Sequence, residues 1–141
     1  MADPTAHYQR LFRRLAREHG KVSEETISSI VGFDAGGPVS MCRVGEVGYV
    51  TVELSLYEQQ KVSTEGVRFE LLCFAGLGED TVRSMFTALG RLSMSAKLGS
   101  GHTVDLAQVL TGIDIQRVRL VLHSRAGLLW PKYGVYEVIP E

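Results

Sequence analysis

The chain has 141 residues, 45% of them hydrophobic and 22% charged, the composition of an ordinary globular protein of one-domain size; disorder, collagen-like repetition and low complexity are excluded. Its 15 Lys and Arg face 16 Asp and Glu, a net charge of −1, so the overall basic field of a dedicated nucleic-acid binder is missing. The balance is uneven: residues 1–21 hold Arg10, Arg13, Arg14, Arg17 and Lys21 against Asp3 and Glu18, which leaves a mildly acidic body behind a basic start.

Asp3-Pro4 offers an N-cap carboxylate followed by a first-turn proline, and Gly20 a stop, so an amphipathic helix is predicted over about 4–19. Tyr8, Leu11, Phe12 and Leu15 make its apolar stripe. Arg10, Arg13, Arg14 and Arg17 make the opposite one, either a solvated face or a second, basic docking surface. Lys21 to Phe33 is ambiguous, and Asp34 to Pro38 reads as a turn before a short strand at Val39 to Val44. Tyr49 to Tyr57 alternates, with Val50, Val52, Leu54 and Leu56 on one side and Thr51, Glu53 and Ser55 on the other, which predicts a half-buried strand. Glu58 to Gly66 reads as a polar connection. Val67 to Ala75 is apolar on both sides near its end, the mark of a central strand.

Gly76 to Asp80 turns the chain into a second helix, predicted over Asp80 to Ala96, with Val82, Met85, Phe86 and Leu89 at core spacing and Glu79 and Asp80 suited to its N-terminus. Gly99-Ser-Gly101 ends it; Val104 to Leu110 returns to extended structure, Arg117 to Arg125 is a strand, Gly127 to Gly134 is a loop carrying Trp130, and Val135 to Ile139 is a terminal strand. The elements add up to a single α+β domain over 1–141, a mainly antiparallel or mixed sheet of five or six strands covered by two helices.

Cys42 and Cys73 lie in apolar stretches without C-x-x-C spacing, which points to a reducing compartment and to neither zinc nor a disulfide framework. The start lacks the pattern of a secretory signal, and no run approaches the roughly 20 apolar residues of a membrane span; the expected location is the cytoplasm. A nucleophile at Cys73 with His102 or His123 as base can be drawn, but a mid-strand thiol between Leu72 and Phe74 is ordinarily a small buried hydrophobe. The four histidines show no ligand spacing, so no metal and no cofactor is expected. The glycine-rich turns lack the lysine-serine ending of a phosphate loop, and Glu79 and Asp80 would repel phosphate. Glu53 and Glu70 lie on neighbouring strands, with Glu53 on a solvent-type face. Trp130, Tyr133 and Tyr136 either anchor a partner or close the end of the core.

Tyr49 to Leu56 (YVTVELSL), Gly66 to Leu72 (GVRFELL), Leu89-Gly-Arg-Leu92 and Leu98 to Leu106 (LGSGHTVDL) together resemble the suppressor-of-fused-like domain, over about residues 40–125. Phe69-Glu70-Leu71 and Gly101-His102-Thr103-Val104 carry the resemblance furthest. Glu53 stands where the family often has glycine, and the family's tryptophan-proline segment before the covering helix is missing. The resemblance implies binding rather than catalysis. Small bacterial members look like immunity proteins that neutralise a cognate polymorphic or secreted toxin, so the implied partner is a toxin or effector protein, with no membrane or nucleic acid. A chaperone or adaptor for a secreted effector, and a small enzyme, are the alternatives. The residues expected to meet a partner are Glu53, Glu79, Asp80, Asp105, Trp130 and Tyr133.

Overall fold

Val67 to Cys73 carries apolar side chains on both of its faces, and a strand of that kind needs cover on both. A computed structural model describes residues 13, 17, 28–30, 39–45, 47–52, 54–56, 60–106, 116–126 and 132–141, and places this strand at the middle of a seven-stranded sheet. The strands are β1 (Ser28–Ile30), β2 (Val39–Val44), β3 (Gly48–Val52), β4 (Val67–Cys73), β5 (Thr103–Asp105), β6 (Arg117–Ala126) and β7 (Lys132–Pro140), in the order β1-β2-β3-β4-β7-β6-β5. All pairings are antiparallel except the central one, β4 with β7. The sheet is therefore mixed, as expected. Its parallel pair is possible because the connection from β4 to β7 is long enough to cross over, carrying helix α1 (Glu79–Ser93), β5 and β6 with it.

Val82, Met85, Phe86 and Leu89 of α1 are buried, and they pack on Phe69, Leu71 and Cys73 of β4, Val118 and Leu120 of β6, and Tyr136 and Val138 of β7. Phe69 and Tyr136 meet edge to face, their ring centroids 4.9 Å apart at 88°, the geometry that the ring quadrupoles favour. On the opposite face a smaller cluster gathers Cys42, Val44, Val50, Leu72 and Val135, with Phe74 against it. Gly48 admits the Phe74 ring: a Cβ there would lie 2.3 Å from its Cε1 atom. Leu98 and Leu106 close the core beside α1.

Several expectations change. One α-helix stands among the described residues where two were expected; the one predicted over about 4–19 lies outside them, except for Arg13 and Arg17, which are helical and exposed. Among the described residues the sheet has seven strands where five or six were expected, because the ambiguous segment supplies β1. The alternating run from Tyr49 does not remain a strand to Tyr57: β3 ends at Val52, and Leu54–Leu56 forms a 3-10 turn. Nor is it half-buried, since Tyr49 and Thr51 are as enclosed as Val50 and Leu54. β7 begins at Lys132, so Tyr133 is a strand residue and not a loop one. Helix α1 stops at Ser93, where the amides of Met94 and Ser95 turn back to the carbonyls of Arg91 and Leu92.

The fold makes a simple prediction about stability. Phe69→Ala removes a fully buried ring from the contact between β4, α1 and β7, and should cost about 3–5 kcal/mol in denaturant unfolding. Val47→Ser, at a half-exposed hairpin position, should stay within about 0.5 kcal/mol.

Candidate functional site

The β3–β4 ladder pairs only Tyr49 with Cys73 and Val50 with Leu72. Below that point the chain of β3 turns away, and three alternate N–H groups along β4 need other acceptors. Side chains provide them. Leu71 N–H donates to Thr51 Oγ1 at 2.8 Å, Phe69 N–H to Gln60 Oε1 at 3.0 Å, and Val67 N–H to Ser63 Oγ at 3.2 Å. Gln60 acts as a one-residue substitute for a strand, since its Nε2 also donates to Phe69 O at 3.0 Å. Thr51, Gln60 and Ser63 are all buried, so their groups have no water to fall back on.

Glu70 completes this arrangement. Its carboxylate is fully enclosed and, among the described residues, accepts hydrogen bonds from Thr51 Oγ1 at 2.8 Å, Leu54 N–H at 3.1 Å, Ser55 N–H at 2.8 Å, and the Ser55 hydroxyl. The 3-10 turn exists because two of its amides find an acceptor on β4. Burial disfavours the charged form and the four donors favour it; burial prevails, and the carboxyl is pushed up from 4.5 to about 7. At the other end of β4, Tyr136 Oη lies 2.8 Å from Ser63 Oγ and 2.9 Å from Glu65 Oε1, and Glu65 also accepts the Ser100 amide at 2.7 Å. This cluster ties the 60–66 connection and the turn before β5 to β7.

The exposed surface lies elsewhere. On the face away from α1, β5 and β6 display Thr103, Asp105, Arg117 and Arg119 to solvent, Asp105 opposite Arg117 and Thr103 opposite Arg119. Arg119 Nε lies 3.3 Å from Glu141 Oε1. β5 stands at the edge of the sheet. Gly101, at φ 88°, makes the left-handed turn into it.

The expected partner-binding residues do not converge. Asp105 sits on the outer edge strand, on the face opposite the helix. Glu79 and Asp80 begin α1, where both face Arg83, Glu79 at 3.7 Å and Asp80 in a close pair with an almost fully exposed side chain. Tyr133 shares the face of Asp105 but lies at the far end: it is opposite Ala126, whereas Asp105 is opposite Arg117, a separation of roughly 30 Å along β6. Glu53, Trp130, Arg10 and Arg14 lie outside the described residues. Cys73 is buried in the main core and Cys42 in the opposite cluster. Burial pushes both thiols up, the reverse of what a thiolate nucleophile needs. His102 is exposed beside β5. Among the described residues no three His, Cys, Asp or Glu side chains gather as metal ligands, and no helix is long and apolar enough to cross a membrane.

The fold has a solved counterpart. A crystal structure from Neisseria gonorrhoeae, described as a homologue of suppressor of fused protein, superposes with a TM-score of 0.60 over 97% of this chain and 74% of its own, at 12% sequence identity. At that identity the likeness is one of fold. No protein-family profile matches the chain, and no curated protein does.

Glu70 binds its proton more tightly folded than unfolded, so folding takes up a proton between about pH 4.5 and 7. The contribution is full below that window and lost above it. Stability should therefore fall by on the order of 2–3 kcal/mol as pH rises through it, a slope that urea titrations at pH 5 and pH 8 would read. Glu70→Gln should flatten the slope and cost about 1–3 kcal/mol, because its amide cannot accept from both Leu54 and Ser55.

Proposed function

We propose that this chain is a protein-binding module and, within that class, an immunity protein that neutralises a cognate bacterial toxin in the cytoplasm by occupying it. The observation that carries this reading is the suppressor-of-fused-like fold over 97% of the chain, together with the sequence resemblance centred on Phe69-Glu70-Leu71 and Gly101-His102-Thr103-Val104. The chain's own chemistry supports binding over catalysis: Cys73 is enclosed and its thiol held protonated, and the polar groups around Glu70 are engaged in holding β4 together.

The surface best suited to a partner is the outer half of the sheet, where Thr103, Asp105, Arg117 and Arg119 alternate in charge and hydrogen-bonding character. Paired charges of both signs give specificity and register more than raw affinity. Glu79 and Asp80 form a separate acidic patch on the helix side.

The test is a pull-down of the tagged protein from its native cells, followed by co-expression with whatever toxic protein is recovered. Stoichiometric recovery of one toxin, and rescue of growth on co-expression, are expected. Deletion mapping that places the contact on a non-toxic signal segment would make the chain an effector chaperone instead. Within a recovered complex, Arg119→Glu should weaken binding by at least about tenfold if the outer half-sheet is the contact surface, measured by titration calorimetry; Arg83→Glu, on α1, should leave it unchanged.

A further inference from the structure

The segment that follows β3 is attached in an unusual way. From Thr51 to Ser55 it makes side-chain and carboxylate bonds to β4 in place of a backbone ladder: Thr51 Oγ1 with Leu71 and Glu70, and the amides of Leu54 and Ser55 with Glu70. Detaching a ladder breaks many bonds with no common element. Here four of the bonds end on the two oxygens of one carboxylate, which is fully enclosed by the segment it holds. We propose that Glu70 and the Leu54–Leu56 turn form a proton-linked latch, closed over β4 while Glu70 carries its proton and lifted as the carboxylate ionises and takes up water.

Two of the four donors can change role: the Leu54 and Ser55 amides can only donate, whereas the hydroxyls of Thr51 and Ser55 can each turn from donor to acceptor when Glu70 is protonated. The titratable and charged groups nearest Glu70 on this face, among the described residues, are Cys42 on β2, Arg68 two residues earlier on β4, and Tyr133 and Glu137 on β7, opposite Arg68 and Leu72; Asp105, Arg117 and Arg119 lie farther out on the same face, beyond β7. Among the described residues, β3 and the turn bring none to it. Cys42 lies near enough for the carboxylate to raise its thiol. The enclosed carboxyl titrates near neutrality, which sets the latch in a physiological range.

The two cysteines, on opposite faces of the sheet, report the motion. The full chain is treated with a small disulfide reagent from pH 4 to 9, each thiol is followed by peptide mass spectrometry, and each rate is divided by that of the unfolded chain at the same pH. The Cys42 ratio should rise between about pH 4.5 and 7 by up to about tenfold per unit, the limit for one linked proton, then level off. Ser55→Ala, which removes a donor to the ionised form, should move the rise to higher pH, and Glu70→Gln should abolish it. A flat Cys42 profile would overturn the latch. If Glu70→Gln does not fold, Ser55→Ala decides, and an unshifted curve contradicts the proposal.

Discussion

The architecture depends on one constraint: every N–H on a buried central strand must find an acceptor, and β4 loses its backbone neighbour two residues into its pairing with β3. Leaving three amides unpaired in the interior would cost about 1–3 kcal/mol each. Thr51, Gln60 and Ser63 satisfy them by side chain, and Glu70 draws the chain between Thr51 and Leu56 down onto the strand. Because β4 is thus sealed on one edge, its other edge is available for β7. The parallel β4–β7 pair then brings Phe69 against Tyr136, and α1 has a continuous apolar surface to cover.

The same arrangement separates structure from surface. Polar residues near the centre of the sheet are consumed by internal bonds, whereas those on β5 and β6 face solvent. Among the described residues, the groups with shifted protonation, Glu70 and the two thiols, are all enclosed. The glycine of the Gly101-His102-Thr103-Val104 motif makes a left-handed turn, and the glutamate of Phe69-Glu70-Leu71 holds the neighbouring segment. Both motifs that carry the suppressor-of-fused-like resemblance thereby have structural reasons for their residues.

What could be read from sequence was local. Helix α1 announced itself through Val82, Met85, Phe86 and Leu89, and β6 through the alternation of Val118 and Leu120 with Arg117 and Arg119; each pattern repeats at its element's own period. The end of β3 was misread because its alternation continues through Leu56 while the force that breaks it comes from Glu70, 15 residues from Ser55. A glutamate between Phe69 and Leu71, in an otherwise apolar central strand, was the available signal: a carboxylate at such a position requires donors. The parallel pairing was hidden for a different reason. No short-range pattern tells β7 to lie between β6 and β4, antiparallel to one and parallel to the other. The candidate binding residues stand out by exposed charge or, at Trp130 and Tyr133, as aromatic side chains beside a proline, criteria that find surface but do not bring Asp105, Asp80 and Tyr133 to one place.

The most direct measurement of the central claim is the titration of the Glu70 side-chain carboxyl by carbon-13 NMR on the folded protein. A carboxyl enclosed by Thr51, Leu54 and Ser55 should titrate at about 7, with the amide protons of Leu54 and Ser55 shifting along the same curve. A midpoint at the ordinary 4.5, with those two amides unmoved, would mean that the carboxylate meets water and does not hold the segment to β4.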